Sequence, residues 1–311
     1  MKKYQWIFII AIILASVILA GCTDTTGLQS QNTDNKTITV TDDTGAQVTI
    51  QEYPKRIVSL APSETEILYA INTNSSGISL VGRNDYDDYP PQVESIPSIG
   101  GPQTLSVESI VSKNPDLVIT TTVADKTIIE QLKNLGIPVL IFKLNTFEDV
   151  YRNIETLGEA LGLEKSADDL VSKMKENVSE IENMPHEAPT PKVMYVVSAG
   201  PMYVAGNNTL QSEMIDYAGG DNIFSDKDGY FVASDEAIID RSPDVIIVPY
   251  SGMASGYDIK AQLMNDSDLK SVPAVENGKI YEVDDDIASR PGPRITQGLE
   301  LFYKCINGGM Q

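Results

Sequence analysis

The apolar residues of this chain follow two periods, and their order along the sequence predicts an α/β protein. Residues 38–50 alternate apolar and polar around Asp-Asp-Thr-Gly at 42–45, which indicates an opening hairpin. Beyond it, short apolar runs typical of buried strands alternate with segments of helical period. The predicted strands lie at 56–60, 80–82, 116–120, 139–142, 193–197, 245–248 and 279–283. The predicted helices lie at 62–70, 107–113, 127–135, 147–161, 166–184, 210–218, 236–240, 259–264 and 295–306. Such alternation forms parallel-type sheets flanked by helices.

Two serines have the pattern of helix N-caps. Ser63 is followed by Glu66 at the spacing of a capping box, which predicts the start of the helix at 62–70. Ser166 precedes two aspartates and is the predicted N-cap of the long amphipathic helix at 166–184. That helix carries one apolar stripe, formed by Leu170, Met174, Val178 and Ile181. About 19 residues at 1.5 Å each span roughly 28 Å, enough to link two lobes.

The chain contains an internal repeat, with one copy before the long helix and one copy after it. Residues 106–119 match residues 234–247, with Ser, Glu, Ile, Pro, Asp and Ile in register. Each copy combines a short helix, a Pro-Asp turn and a buried strand. We therefore predict an N-terminal α/β lobe at 38–162, a linking helix at 163–184 and a C-terminal α/β lobe at 185–308.

The N-terminus has the pattern of a secretory signal. Lys2 and Lys3 precede an apolar run, and small residues end it at Leu-Ala-Gly-Cys, 19–22. This ending resembles the lipobox of lipoproteins, in which the cysteine becomes the lipidated first residue. The prediction is a signal peptide at 1–21, followed at 22–37 by the lipidated Cys22 and a polar, flexible tether. A plain transmembrane anchor is the alternative; either one leaves the rest of the chain outside the cytoplasm.

The charge balance and the scarcity of certain residue types exclude several kinds of site. Without Lys2 and Lys3, the 23 basic residues become 21 against 44 acidic ones, a net charge of −23. A nucleic-acid partner is disfavoured, because phosphates require clustered Lys and Arg. His186 is the only histidine, so a metal site built on imidazoles is not expected. No disulfide is expected either, since Cys22 is assigned to the lipobox and Cys305 lies in a buried helical pattern.

No catalytic residue or cofactor is predicted. The chain lacks the Gly-x-Ser-x-Gly elbow, the Walker loop and the dinucleotide glycine fingerprint. Histidine-assisted nucleophilic catalysis is disfavoured, because His186 lies in a Pro-rich turn. Two functional classes stay open at this point. One is a secreted hydrolase that uses paired carboxylates, and the other is a surface adhesion module.

Several motifs together resemble class III periplasmic binding proteins of ABC importers, which handle cobalamin, iron–siderophores and haem. They are Pro-Lys-Arg-Ile-Val-Ser-Leu-Ala-Pro-Ser-Glu-Thr-Glu-Ile at 54–67, the two Pro-Asp repeats, Gly-Gly-Asp-Asn-Ile-Phe at 219–224 and Arg-Pro-Gly-Pro-Arg at 290–294. The resemblance implies two α/β lobes bridged by one long helix, a ligand in the cleft, and delivery to the importer's membrane subunits. We expect a lipid-anchored monomer on the outer face of the cell membrane.

A corrinoid is the first expectation for the ligand, with a ferric siderophore or haem as the alternative. Asp-Tyr-Asp-Asp-Tyr-Pro-Pro-Gln at 85–92 is similar to the cobalamin-binding branch, which implies that Tyr86 contacts the ligand. The same likeness implies ligand contacts for Tyr230, Asp286 and Arg290. A Tyr-Pro turn at Tyr86, and an ion pair of Arg290 with one of the aspartates at 284–286, are the structural alternatives. Unlike that branch, the chain beyond residue 21 has no tryptophan, and an alanine replaces a cysteine at 218.

The repeat also places two carboxylates equivalently. Glu108 and Glu236 occupy the same position near the start of a short helix. In the family, one carboxylate on each lobe meets arginines of the two membrane subunits, so the resemblance implies transporter docking by this pair. The alternative is that both are helix N-terminal acids that favour the macrodipole.

Overall fold

The computed structural model describes residues 37–72, 77–250 and 258–308. It opens with the predicted hairpin, in which β1 (Ile38–Thr41) pairs antiparallel with β2 (Gln47–Ile50). The turn between them is closed by Asp42, whose Oδ1 accepts the N–H groups of Thr44 at 2.9 Å and Ala46 at 3.1 Å. The alternation of the sequence therefore places one face of this hairpin on the core.

A four-stranded parallel sheet follows, in the order β4-β3-β5-β6. All four strands match predicted ones: β3 (Arg56–Ser59), β4 (Ser79–Gly82), β5 (Leu117–Thr121) and β6 (Val139–Phe142). The helices are α1 (Pro62–Ile71), α2 (Val107–Val111), α3 (Lys126–Asn134) and α4 (Phe147–Leu161), with a 3-10 turn at Pro91–Ser95. The strands β5 and β6 are apolar along nearly their whole length because both faces of the sheet are covered, as expected for a parallel sheet.

The second sheet has six strands and is mixed rather than parallel throughout. Its path is β10-β8-β7-β11-β12, with β9 beside β7. The predicted strands form its parallel part, β7 (Lys192–Ala199), β11 (Val245–Tyr250) and β12 (Ile280–Asp284). The sequence pattern missed β8 (Met202–Ala205) and β10 (Tyr230–Val232), which pair antiparallel, and the two-residue β9 (Asp221–Asn222). The helices here are α6 (Leu210–Tyr217), α7 (Asp235–Arg241), α8 (Ile259–Asn265), α9 (Pro273–Glu276), α10 (Asp285–Ala288) and α11 (Ile295–Ile306).

The long helix between the sheets is α5 (Glu164–Glu182), and it begins two residues earlier than predicted. Ser166 is therefore not its N-cap; Leu163 holds that position without a side-chain hydrogen bond. The start is set by α4, which ends at Gly162 in the left-handed region (φ 69°), so that the chain turns at once into α5. The prediction for Ser63 was also wrong. Ala61 is the N-cap of α1 and has no capping side chain, while Pro62 supplies a preset first turn.

Three clusters of buried apolar residues make up the interior. The largest contains one face of each sheet together with the buried stripe of α5, and α5 packs there against α4 and α11. The other two clusters each lie on the remaining face of one sheet. Because the central cluster includes residues of both sheets, the two halves share a core on the side of α5. The lobe boundaries at 38–162, 163–184 and 185–308 stay a prediction.

The Pro-Asp repeat has a structural reason that the sequence did not supply. Asp116 precedes β5, and its Oδ2 accepts the backbone N–H groups of Lys55 at 2.9 Å and Arg56 at 3.0 Å, at the start of the neighbouring β3. Asp244 precedes β11, and its Oδ2 accepts the N–H of Lys192 at 2.9 Å, at the start of the neighbouring β7. In each half, the aspartate thus satisfies a backbone donor at the amino end of the adjacent parallel strand.

Candidate functional site

A cavity of about 630 Å³ opens between the two sheets. One wall is formed by residues that follow β3, β4, β5 and β6: Ala61, Pro62, Ser63, Tyr86, Asp88, Thr121, Val123 and Leu144. The other follows β11 and β12 and consists of Tyr250, Asp284, Asp285, Asp286, Ser289, Arg290 and Pro291. Its volume lies in the range of about 300–1,000 Å³ that is usual for ligand sites.

Strand order explains why the crevice lies here. From β3 the chain moves outward to β4 and then returns past β3 to β5, so the order reverses between β3 and β5. The helices that follow these two strands, α1 and α3, pack on opposite faces of the sheet. Their first turns diverge, and ligands of open α/β sheets bind at such a point, beyond the carboxyl ends of the strands. The cleft between the lobes was predicted, and this geometry accounts for it.

Tyr86 is 57% exposed and stands on a loop that is fixed from beneath. Its N–H donates to Asn84 Oδ1 at 3.0 Å, and Asn84 Nδ2 donates to the carbonyl of Leu60 at 3.0 Å. The buried Asp87 carboxylate accepts from Thr65 Oγ1 at 2.6 Å and from the N–H of Asn84 at 3.2 Å. Burial raises the pKa of Asp87 to about 6. The loop therefore presents an exposed ring to the cavity from a rigid base.

Tyr250 contributes a second exposed ring, which the sequence analysis did not identify. It is the last residue of β11, is 59% exposed, and pairs in register with Asp284 at the end of β12. An available signal was its position two residues after the predicted buried strand at 245–248, because carboxyl ends of parallel strands meet at a ligand crevice. The cavity therefore has one exposed tyrosine on each wall.

Arg290 joins the two walls. Its Nη1 donates to Glu66 Oε1 at 3.0 Å and to Asp88 Oδ1 at 2.6 Å, and its Nη2 donates to Asp286 Oδ1 at 2.6 Å. Burial disfavours the guanidinium cation, but the hydrogen bonds to Asp88 and Glu66 outweigh it and raise the pKa of Arg290. The ion pair that the sequence left open thus includes Asp286, together with two acids from the other half of the molecule.

The pKa values of the two aspartates that pair with Arg290, Asp88 and Asp286, are shifted in opposite directions. Burial works to raise the pKa of Asp88, but the hydrogen bond from Arg290 prevails and lowers it. Burial raises the pKa of Asp286 despite the attraction of Arg290, and the charge of Asp88 adds to that rise. Asp284 begins α10 as its N-cap, with Oδ1 accepting the N–H of Asp286 at 2.9 Å. Three successive aspartates therefore turn toward the cavity at the end of β12.

Tyr230 lies apart from Tyr86, Asp286 and Arg290, which do line the cavity. Its hydroxyl donates to Gln211 Oε1 at 2.5 Å, and burial raises the pKa of Tyr230 to about 12. Gln211 Nε2 in turn donates to the carbonyl of Ala288, the last residue of α10. Tyr230 is thus connected to the helix that carries Asp286, rather than being part of the cavity wall.

The two repeat glutamates are exposed, each at the second position of its helix. The caps are equivalent: Ser106 accepts the N–H of Ser109, and Ser234 accepts the N–H of Ala237. Hydrogen bonds from its own N–H and from the Ser234 hydroxyl lower the pKa of Glu236. The structure confirms the equivalence of the helices, and the docking role stays a prediction.

The remaining expectations concern membranes, metals and cysteines. Within residues 37–72, 77–250 and 258–308, no helix is long and apolar enough to cross a membrane, and no cluster of His, Cys, Asp and Glu is suited to a metal ion. Cys305 is buried in α11, as its pattern predicted, and burial raises the pKa of its thiol to about 12. The signal peptide, Cys22 and the tether lie outside the described residues.

Known proteins that resemble this chain in sequence are binding proteins of one family. Residues 57–287 match the family described as periplasmic binding protein. The chain is 35% identical to the uncharacterized ABC transporter substrate-binding lipoprotein YvrC of Bacillus subtilis, over 98% of each chain. It is 26% identical to a vitamin B12-binding protein of Vibrio parahaemolyticus, over 79% of this chain and 86% of that relative.

Solved structures of three such proteins superpose on this fold. A possible iron-binding periplasmic solute-binding protein of Staphylococcus epidermidis has a TM-score of 0.72 at 31% identity and covers 82% of this chain and 99% of its own. The haem-binding protein RhuT of Roseiflexus has a TM-score of 0.70 at 29% identity, over 81% and 99%. The vitamin B12-binding protein BtuF of Vibrio cholerae has a TM-score of 0.66 at 26% identity, over 82% and 97%. The two-lobed class III architecture expected from the sequence is confirmed.

Proposed function

Because the chain belongs to the periplasmic binding protein family and is a solute-binding protein of an ABC importer, we propose that its cleft captures a corrinoid and delivers it to the importer's membrane subunits. The observation that carries this proposal is the pair of exposed rings, Tyr86 and Tyr250, on opposite walls of one cavity. Flat aromatic faces suit a large, flat ring, since they bury much apolar area and have few rotatable bonds.

The experiment is a binding panel on the full chain, purified in mild detergent. Cyanocobalamin, cobinamide, ferric siderophores and hemin are titrated in turn by isothermal calorimetry. Saturable 1:1 binding of a corrinoid, tighter than that of any iron ligand, supports the proposal. Absence of corrinoid binding alongside binding of an iron chelate would falsify it.

A ferric siderophore or haem is the second candidate ligand. It is supported by the likeness to the Staphylococcus epidermidis protein, whose description gives iron, and to RhuT, whose description gives haem. The cleft offers no ionisable cluster that reaches a metal directly among the described residues.

We further propose that the protein is held at the outer face of the membrane by a lipid on Cys22. The Leu-Ala-Gly-Cys motif at 19–22 and the polar tether after it support this anchor, and YvrC is itself described as a lipoprotein. The family is extracytoplasmic, which agrees with a secretory signal at 1–21. Glu108 and Glu236 are the proposed contacts with the two membrane subunits, and the protein is proposed to act as a monomer.

A further inference from the structure

We infer that the cleft selects its ligand by charge, with Asp284 and Asp285 as the selecting residues. It accepts a corrinoid whose periphery carries amides, or another ligand with positive charge, and rejects a ring of the same size that carries carboxylates. This inference rests on the proposed function, because it takes the cavity between the sheets to be the ligand site.

The charges on the cavity wall are unbalanced. Four aspartates line it, Asp88 and the three at 284–286, and Arg290 is the only basic residue among the described residues that line it. A cleft lined by one sign of charge within low-dielectric walls concentrates its field on the ligand. The net charge of −23 beyond residue 21 has the same sign.

Arg290 is largely engaged by acids of the protein itself, because three of its five N–H groups donate to them. Both of its terminal nitrogens already donate to acids, Nη1 to Glu66 and Asp88 and Nη2 to Asp286. Its side chain is only 12% exposed. A propionate or catecholate group entering the cleft would have to compete with Asp88 and Asp286 for the guanidinium, next to further carboxylates on the same wall.

Asp284 and Asp285 are the acids of this wall without a cation. Asp284 Oδ1 caps α10, and no ion pair to it occurs in the described part of the chain. The Asp285 carboxylate takes part in no side-chain hydrogen bond or ion pair with any residue that the structure describes, although it lines the cavity. Both carboxylates are open to amide or cationic donors, and hydrogen bonds to an ionised acceptor are stronger than neutral ones.

The test compares two corrinoids that share the ring and the cobalt. Cobinamide carries amides at its periphery, and cobyrinic acid carries carboxylic acids in their place. Affinities are measured by calorimetry at pH 7.5, in low and in high salt, with the full chain in mild detergent. We expect the wild type to prefer cobinamide at least 100-fold, and to lose part of this preference in high salt because the charges are screened.

Two double variants then locate the selection. Asp284→Asn with Asp285→Asn removes two cleft charges, and asparagine keeps the N-cap of α10. Asp168→Asn with Asp169→Asn makes the same change of net charge on the exposed side of α5. The cleft pair is expected to reduce the preference at least tenfold, and the α5 pair to leave it unchanged. Equal effects of the two pairs, or no effect of the cleft pair in a variant of wild-type melting temperature, overturn the inference.

A second arm separates this inference from the choice of a corrinoid. If the wild type binds neither corrinoid, a cationic ferric hydroxamate and an anionic ferric catecholate are titrated into the same proteins. A preference for the cationic chelate that shrinks in the cleft variant supports charge selection, while the corrinoid assignment is lost. A preference for the anionic chelate, or failure of all four probes to bind, overturns charge selection as well.

Discussion

Glu66 and Arg294 form a two-point ion pair between the halves of the molecule. Arg294 Nε donates to Glu66 Oε2 at 2.9 Å, and Nη2 donates to Oε1 at 2.6 Å. Arg290 adds a third hydrogen bond to the same carboxylate, and the Arg294 guanidinium lies over the Tyr89 ring at 4.0 Å. Bidentate pairing of this kind is strong and fixes geometry. The cleft wall is thus tied across the halves at α1 and at the start of α11, in addition to their shared core beside α5.

Removing the Glu66 carboxylate is expected to destabilise the protein strongly. The Glu66 side chain is 2% exposed, so Glu66→Gln leaves two partly buried arginines without their common anion. Breaking a buried ion pair from one side costs about 3–5 kcal/mol, and urea unfolding measures this directly. The matched control is Glu176→Gln, which breaks an exposed pair with Lys173 and should leave the midpoint unchanged. Equal midpoints for the two variants would contradict a structural role for Glu66.

Stability is expected to fall as the pH rises from about 4.5 to about 8, because of Glu64. Burial, with a further contribution from the charge of Asp43, raises the pKa of Glu64 from 4.5 to about 8. Between these values the folded chain holds a proton that the unfolded chain has released. The stabilisation is therefore complete below about pH 4.5 and is lost as the pH rises through about 8, by at most about 1.4 kcal/mol per pH unit.

The measurement is the free energy of unfolding at pH 5, 6, 7 and 8 for wild type and Glu64→Gln. Glutamine keeps the shape and cannot ionise, so its curve should be flatter across this range. Asp87, with a pKa of about 6, titrates in the same range, but it does so in both proteins and cancels from their difference. Parallel curves for the two proteins would show that Glu64 is ionised at neutral pH.

Sequence reasoning recovered the elements whose signal is local. All seven predicted strands and all nine predicted helices occur, because each apolar run or amphipathic stripe reports the burial of its own residues. The short strand β10, with three residues, lacks a period to detect, and its pairing with β8 depends on residues about 25 positions away. The capping residue of α1 and the start of α5 were predicted wrongly for a related reason. A proline and the turn at Gly162 set them, rather than a capping serine.

The site was only partly predictable, because its key relationships are long-range. Arg290 was identified, but its partners Glu66 and Asp88 lie more than 200 positions earlier in the chain. Tyr230 carries the expected aromatic ring, yet its hydroxyl donates to Gln211 and it is not among the residues that line the cavity. Tyr250 shows the opposite case, since only the pairing of β11 with β12 brings it beside Asp284. The sequence indicated which residue types belong to the site, whereas the orientation of their side chains is set by tertiary packing.

Both cavity tyrosines are expected to contribute to ligand affinity. Losing a stacked ring costs on the order of 1 kcal/mol beyond its area, or about fivefold in affinity. Tyr86→Ala and Tyr250→Ala should each weaken cobinamide binding by at least this factor in calorimetry, while the phenylalanine variants retain the ring and most of the affinity. Tyr203→Ala is the control, because Tyr203 is an exposed tyrosine of β8 away from the cavity wall. A Tyr250→Ala variant that binds as wild type would restrict the aromatic contact to Tyr86.

Lipid anchoring predicts a simple change in fractionation. With Cys22→Ser, the acceptor for the lipid is lost, so the protein should be released or should accumulate as an uncleaved precursor. Membrane fractionation and gel mobility in the native host measure this. Cys305→Ser is the control, because that cysteine is buried in α11 and should not affect localisation. If Cys22→Ser fractionates and migrates like the wild type, the lipobox assignment is wrong.

The last prediction concerns transport. Glu108 and Glu236 are exposed at equivalent positions of α2 and α7, one in each copy of the internal repeat. A channel formed by two membrane subunits presents two equivalent surfaces, and a repeat supplies one anchor for each. Charge pairs at the rim of an interface mainly set orientation and association rate. Glu108→Lys with Glu236→Lys should therefore abolish uptake of labelled ligand and leave its affinity for the purified protein unchanged.

The control for docking is a charge reversal of the same size elsewhere. Glu130→Lys with Glu155→Lys alters two exposed glutamates on α3 and α4, and uptake should continue. If the two glutamates only stabilise their helices, a different result is expected. The Glu108 and Glu236 double variant would then have a lower melting temperature, and its uptake would fall only as far as the amount of folded protein falls. Partial rescue of uptake by acidic residues at the partner arginines of the membrane subunits would show direct pairing. Normal uptake by the double variant would place the docking surface elsewhere on the two lobes.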